Sequence, residues 1–474
     1  MTQRVARNAL YLTIASVGQK IIAFVYFLFL ARVMMPDMTG QYFLALSITT
    51  IYSVVAEFGI TSVTIREIAK DPTQARQLIS HALALKLPLI ILAVSGSVAT
   101  GWLLGYDHSV QVLIAMSCVV LVLDALQVFF YGVLRGFQAL QFEAAGIFSG
   151  MLTTALVGSL VLALAPSLPL LVVALMGGSF INLLVASFCV ARRLGWSTLI
   201  PHWSSQDARL ILKMAFPFAL AAIFVKIYSY VDSIFISKIL DTTAVGVYAI
   251  AYKFTYAFQF LPLAFIAALY PGMSAVAGKD PASLKQIFLR SMWYMALISS
   301  PIVFGLYAVA PEAILLAGKE YTQATIVLQT LIFVLIPIFL DFPIGSLLNA
   351  CGKQSTKTVI MGVTMIINIV LNAILIPQVG ILGAAYAALA SFVFMFVAGL
   401  FYIPSVIPSF SFRQLVRTIL PIYLVGVIML IVVIVLKPLM GWIPVVFIGG
   451  GVYLVGLLVT GSFKLTDLGY FKRV

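Results

Sequence analysis

Long apolar runs with few polar interruptions recur along the whole chain, each close to the ~20 residues a helix needs to cross a bilayer. Their spacing predicts fourteen spans, at 8–33, 40–65, 82–104, 110–134, 143–164, 169–191, 212–238, 245–270, 290–310, 323–349, 357–377, 381–403, 417–437 and 443–461. None has the short alternating polarity of a barrel strand, and no polar stretch is long enough for a soluble domain. The first two runs are joined by the short turn Met35-Pro36-Asp37-Met38-Thr39-Gly40. Displaced by 206 residues, the same hairpin returns: Lys20 falls on Lys226, Phe29 on Phe235, Arg32 on Lys238, Gly40 on Gly246, Tyr42 on Tyr248 and Ala45 on Ala251.

The repeat continues beyond the hairpin. Asp71-Pro72 followed by Arg76-Gln77 is echoed by Asp280-Pro281 followed by Lys285-Gln286, and Asp124 with Gly136 and Gln138 by Asp341 with Gly352 and Gln354. Six spans separate Lys20 from Lys226, so the two copies enter the membrane in the same direction and form a parallel repeat. The fold expected is an all-α membrane protein of about 14 transmembrane helices, with two pseudo-symmetric six-helix bundles around a central cavity and two accessory C-terminal helices. On this reading residues 1–200 are the N-terminal lobe, 201–410 the C-terminal lobe, and 411–474 the accessory helices with a cytoplasmic tail. The loop from Arg192 to Lys213, which holds Trp196, Pro201, Trp203 and Ser204-Ser205, is the expected linker.

Composition agrees with this class, since 63% hydrophobic and 9% charged residues leave too little polar surface to coat a soluble globule. The charges also orient the spans. Most of the 28 Lys and Arg fall on alternate loops that include Arg4, Arg7, Arg66, Lys70, Arg76, Arg192, Arg193, Lys285, Lys353 and Lys357; the opposite loops hold only Arg32, Lys238, Lys319 and Lys437. This positive-inside pattern predicts a multi-pass protein of the cytoplasmic membrane with both termini in the cytoplasm. The net charge of +13 is then mostly a topology signal that favours anionic lipid headgroups, with no nucleic-acid partner implied. Cys118, Cys189 and Cys351 lie in or beside apolar runs, which gives neither a disulfide framework nor a metal site. Arg4 and Arg7 precede a run too long for a signal core, so it reads as the first span.

Ionised side chains within spans are costly and normally face a bundle interior or a wet cavity. Lys20, Lys226, Lys253, Glu57, Asp124, Asp232 and Asp341 are the candidates, while Lys86, nearer the cytoplasmic end of its span, is expected to snorkel. Thr13, Ser16 and Lys20 make one polar stripe on the first helix, and Lys226, Ser229 or Tyr230, and Ser233 make another on the seventh. Such stripes either form a cationic cavity for a phosphate or pair with carboxylates and fix packing. Glu57, which shares a face with Ser53 and Thr61, is an ion carrier or a structural partner for a lysine; Asp124, Asp232 and Asp341 are open to the same two readings. Tyr248, Tyr252, Tyr256 and Gln259 form an i, i+4, i+8, i+11 stripe suited to sugar faces, or to ordinary packing. His81, His108 and His202 are scattered over loop edges, and no phosphate-binding loop of the P-loop type occurs, so neither enzymatic catalysis, a cofactor nor ATP hydrolysis is expected.

The hairpin Leu30-Ala31-Arg32-Val33-Met34-Met35-Pro36 through Gly40-Gln41-Tyr42, the segment Leu134-Arg135-Gly136-Phe137-Gln138, and Asn349-Ala350-Cys351-Gly352-Lys353 followed by Ile376-Pro377-Gln378-Val379-Gly380-Ile381-Leu382-Gly383-Ala384-Ala385-Tyr386 resemble the polysaccharide-transporter, or oligosaccharide repeat-unit flippase, branch of the multidrug/oligosaccharidyl-lipid/polysaccharide exporter superfamily. The resemblance implies transfer of polyprenyl-diphosphate-linked oligosaccharides from the inner to the outer leaflet by alternating access, for cell-surface polysaccharide assembly. It implies basic cavity residues on the diphosphate, for which Lys20 and Lys226 are the best matches. Expected partners are the lipid-linked oligosaccharide, membrane lipids and a polysaccharide polymerase or glycosyltransferases, with a monomeric functional unit. A drug exporter of the same superfamily is the first alternative, and a membrane enzyme acting on lipid-linked glycans the second.

Overall fold

The computed structural model describes residues 2–463, and side chains from Ala15 onward apart from 264 and 266–268. The charges expected at Arg4, Arg7, Lys464, Lys472 and Arg473, and the side chain of Thr13, lie outside the described residues. Contacts divide the chain into two compact units, residues 1–249 and 250–474. Among the described residues all regular structure is helical.

The first unit holds α1 (Thr2–Glu57), α2 (Ile60–Lys70), α3 (Ala75–Leu103), α4 (His108–Gly136), α5 (Leu140–Leu164), α6 (Leu168–Leu194), α7 (Ser205–Ile239) and the first half of α8 (Thr242–Tyr256). The segment expected as a turn, 35–40, is not one. The chain reverses on Met35 alone (φ 63°, ψ 165°), and helix resumes at Pro36, whose fixed φ suits a first helical position. A second break at Phe58 and Gly59, both with positive φ, separates α1 from α2. The core of this unit lies toward the ends of α2, α3, α4 and α6, where Ile68, Ile79, Phe129, Leu134 and Val190 are buried with Ala208 and Ile211 of α7. By the sequence repeat α7 opens the second copy, yet in packing it belongs with the first.

The second unit continues from α8 into α9 (Phe260–Val276), α10 (Pro281–Ala308), α11 (Ala310–Leu315), α12 (Ala324–Leu331), α13 (Leu335–Ala350), α14 (Gln354–Val379), α15 (Ile381–Phe401), α16 (Phe412–Met440) and α17 (Trp442–Val459). Here α16 and α17 dock on α10: the Ser299 and Tyr423 hydroxyls bond at 2.9 Å, Ser300 donates to the Ile422 carbonyl at 3.2 Å, and Tyr453 donates to that of Leu297 at 3.0 Å. Hydroxyls hold these helices because packing in lipid gains nothing from apolar contact alone.

Twelve helices among the described residues are long and apolar enough to cross a membrane. The first, Ala15–Lys70, holds the second expected span and the described side chains of the first, and the expected eighth span, 245–270, runs from α8 through a 3₁₀ turn at Ala257–Gln259 into α9. Fourteen passes are recovered on that count, in a multi-pass helical membrane protein.

Candidate functional site

The candidate lysines are placed by the way α7 runs along the descending half of the first hairpin. Asp37 accepts a hydrogen bond from Thr242, Ser47 Oγ donates to Ser233 Oγ at 3.5 Å, Gly59 abuts Ala215 and Phe218, and Arg66 reaches Met214 Sδ at 3.2 Å. The two segments are therefore antiparallel over their whole length. The approach is closest at Gly40 and Gly246, the glycines that the repeat makes equivalent. A Cβ on Gly40 would run into the Thr242 carbonyl, and one on Gly246 into that of Pro36.

This register fixes the depth of both lysines. Counting along α7 sets Lys226 beside about residues 50–54 of the descending helix, and Lys20, roughly 15 residues before the reversal, lies roughly 22 Å along its helix from Met35. Both stand at the same level, half-way along the hairpin. Lys20 is exposed on the protein surface, and Lys226 is half-buried with its Nζ 5.7 Å from the centre of the Tyr230 ring. Among the described residues neither ammonium has a carboxylate within ion-pair distance.

The other buried charges of the first unit are paired. Lys86 does not snorkel as expected. It is 0% exposed, donates to Glu57 Oε1 at 2.7 Å and to the Ala56 carbonyl at 3.1 Å, and lies 5.6 Å from the Phe129 ring centre. Burial brings its ammonium to Glu57, whose other oxygen accepts from Thr61 at 2.5 Å. Close by, Arg135 makes a two-pronged pair with buried Glu143, its Nε at 2.7 Å. Neither Glu143 nor these pairings had a signal in the sequence beyond charges near helix ends. Asp124 accepts from the Gln127 amide at 2.7 Å with the Ser179 hydroxyl also against it, and meets no cation among the described residues. Asp232 is buried and accepts the Tyr248 hydroxyl at 2.7 Å.

In the second unit Asp341 is held by Lys357, whose Nζ reaches both carboxylate oxygens at 2.6 Å. Lys357, expected on a loop, sits in the first turn of α14 and extends inward. Lys253 is half-buried on α8. The Tyr252 and Tyr256 rings meet at a tilt of 36° with centres 4.2 Å apart, and Gln259 closes a 3₁₀ turn that continues from α8 into α9 with helical backbone. No group of three His, Cys, Asp or Glu that could hold a metal occurs among the described residues.

Among the described residues the chain is helical and polytopic, with paired scaffold charges and two pseudo-equivalent lysines that no carboxylate meets, which is the build of a multi-pass membrane protein. Residues 5–277 match the family described as Polysaccharide biosynthesis protein, and the chain belongs to that family. Residues 217–374 also match the family described as MatE. The chain is similar to the probable low-salt glycan biosynthesis flippase Agl15 of Haloferax volcanii, at 24% identity over 86% of each protein. Among solved structures it resembles the lipid II flippase MurJ in an inward closed conformation, with a TM-score of 0.78 at 16% identity over 95% of this chain and 98% of that one. It also resembles an inward-facing multidrug resistance MATE family transporter of the MOP superfamily, with a TM-score of 0.70 at 14% identity over 85% of this chain and 100% of that one. These two likenesses show the fold.

Proposed function

We propose that the chain is a flippase that carries polyprenyl-diphosphate-linked oligosaccharide across the membrane, from the inner to the outer leaflet of the cytoplasmic membrane, with both termini in the cytoplasm. The observation that carries this reading is the pair Lys20 and Lys226: two ammonium groups at one depth, repeated by the chain's internal doubling and left without carboxylates. A cation at mid-membrane is costly unless an anion or water meets it. A diphosphate supplies that anion, and lysine attracts it as a point charge without the fixed two-pronged grip of arginine. In the second unit, Lys253 is the candidate for the diphosphate, and Tyr252, Tyr256 and Gln259 those for the sugars. The polyprenyl tail stays in lipid while the headgroup crosses, and the lobes at 1–200 and 201–410 alternate in access. Asp124, which has hydrogen-bond donors and no cation, is the group proposed to couple an ion gradient to release.

The drug-exporter alternative fits less well. Of the two carboxylates that would serve an organic cation, Asp341 is bound to Lys357 and Asp232 is buried against the Tyr248 hydroxyl. Charge-neutral variants test the proposal in proteoliposomes loaded with a fluorescent lipid-linked oligosaccharide. Lys20→Gln and Lys226→Gln are expected each to slow translocation at least about tenfold, the worth of one charge-assisted contact, and together to abolish it. Unchanged translocation by the double variant would remove these lysines from the site; a new glycosidic bond in the product would replace the flippase reading with an enzyme.

A further inference from the structure

The repeat carries a second pair of features away from the lysines. In the first unit a cavity of about 300 Å³ opens beside the start of α3, lined by Arg76, Gln77, His81 and His202 with the hydroxyl residues Ser197 and Thr198. In the second unit a cavity of about 400 Å³ opens beside the start of α10, lined by Lys285, Gln286, Arg290, Gln414 and Thr418. A displacement of 209 residues carries Arg76, Gln77 and His81 onto Lys285, Gln286 and Arg290. The doubling has thus kept a cation, an amide and a second basic group at the same three positions of one helix, and a cavity at each.

The walls are built alike. The start of α3 is tied to the segment after α6 by Ser80 Oγ, which donates to the Ile200 carbonyl at 2.6 Å, and by the His202 amide, which donates to the Ser80 carbonyl at 3.2 Å. The start of α10 is tied to the segment after α15 by Lys285 Nζ, which donates to the Ser409 carbonyl at 2.8 Å and keeps further protons for a ligand. Among the described residues no carboxylate lines either cavity, and the one nearest the first, Asp207, is taken up by His81 Nδ1 at 2.8 Å. Cations, amides and hydroxyls without acids are the donor set for a phosphate.

The surroundings indicate where that phosphate comes from. Trp196 and Trp203 beside the first cavity are 65% and 60% exposed, and Ile200 between them is exposed too. Phe412, Val416 and Leu420 are exposed on the face of α16 turned away from Gln414 and Thr418 of the second, so that helix carries an apolar outer side next to the basic pocket. Indoles and aliphatic side chains around a basic pocket at the end of a membrane span mark the headgroup layer, where acyl chains cover the apolar rim. A soluble phosphate compound would leave that rim bare.

We propose that each cavity seats the phosphate of an anionic membrane lipid, one per half of the chain, on the basic face of the membrane. The seats are independent of the flippase reading, since neither Lys20 nor Lys226 belongs to them. The test uses full-length protein released from nanodiscs of phosphatidylglycerol in phosphatidylcholine and weighed by native mass spectrometry. Two phosphatidylglycerol molecules are expected to remain bound under activation that strips phosphatidylcholine. Arg76→Gln with His202→Gln should release one and Lys285→Gln with Arg290→Gln the other, each with at least about tenfold weaker retention, whereas Arg76→Lys and Lys285→Arg keep both. Retention of both lipids by the four-residue variant, or equal retention of phosphatidylcholine, would overturn the proposal. In a second arm, inorganic pyrophosphate is added to the lipid-stripped protein; saturable binding that the same variants abolish, with displacement of phosphatidylglycerol, would assign the cavities to a soluble phosphate compound and overturn the lipid.

Discussion

The two repeats of this chain keep some charged positions and discard others, and the division separates scaffold from candidate site. Lys20 and Lys226, Gly40 and Gly246, Asp71 and Asp280, and Gln77 and Gln286 are retained at matching places. The buried ion pairs are not kept as pairs, although Asp341 holds the place of Asp124; their cations are not repeated. Lys86 falls on Met295 and Glu57 on Leu263, while in the other direction Lys357 falls on Gln141. Each unit therefore solves its own packing problem with its own pair, Glu57–Lys86 and Arg135–Glu143 in the first and Asp341–Lys357 in the second. A salt bridge between two side chains of one bundle can be replaced by an apolar contact without loss, because desolvation offsets most of its attraction. Lys20 and Lys226, which no carboxylate meets among the described residues, recur at matching places, and the proposed site rests on that contrast.

The largest expected effect tests the scaffold side of this contrast. Lys86→Ala leaves Glu57 as an uncompensated charge between helices and should lower unfolding stability by about 3–5 kcal/mol, as should Lys357→Ala through Asp341. The paired replacement Glu57→Leu with Lys86→Met should recover most of that loss and leave translocation intact. Thermal melts in detergent and the proteoliposome assay check both halves of the statement. Loss of transport in the stable apolar double variant would move Glu57 and Lys86 from scaffold to mechanism.

A smaller effect addresses the register that sets both lysines at one depth. Gly40→Val places side-chain carbon where the Thr242 carbonyl stands, and overpacking of this kind costs about 1–3 kcal/mol. Gly246→Val meets the Pro36 carbonyl and should cost as much. The variants are expected to fold and to translocate poorly, because α7 can no longer lie flush along the first hairpin. Cysteines placed at Asp37 and Thr242, whose side chains meet in the native protein, are expected to cross-link, and to do so more slowly with either valine present. An unchanged rate would detach the glycines from the register.

Much of this was legible in the chain. The apolar runs gave the class and the number of passes, and the displacement of Lys20 onto Lys226 announced the doubling before any coordinates. The misreadings share a physical cause. A single residue, Met35, reverses the chain where a six-residue turn was expected, because one positive-φ position followed by proline is enough and periodicity does not report φ. Lys86 and Lys357 lie near span ends, where sequence favours snorkelling, but each has a carboxylate on a neighbouring helix that only packing brings within reach. The Arg135–Glu143 pair is hidden for the same reason: a loop and one helical turn separate them, and only the packing of α5 on α4 brings them together. The Tyr248–Tyr252–Tyr256–Gln259 spacing assumes α-helical winding throughout, and the 3₁₀ turn at Ala257–Gln259 tightens that winding before Gln259 while the backbone stays helical.

The smallest effect bears on the retained capping aspartates and carries a pH signature. Asp71 accepts from the Thr73 hydroxyl at 2.6 Å and from its amide at 3.0 Å, and Asp280 accepts from the Ser283 hydroxyl at 2.6 Å and from the amides of Ser283 and Ala282 at 3.1 Å. These bonds, the hydroxyl first in each case, hold both carboxyls below the usual aspartate range. A carboxyl whose value is lower in the folded than in the unfolded chain adds stability above the unfolded value, about 3.9, and loses it as pH falls through the lower folded value. Asp71→Ala and Asp280→Ala should therefore each lower the melting temperature slightly and equally at pH 7, with the difference from the native protein shrinking as pH falls below about 4. Both side chains lie on the surface, so the decrements should add. A large loss for Asp280→Ala alone would mean that the two repeats begin their third helices by different devices, and that the likeness of the two cavities just beyond them is a coincidence of composition.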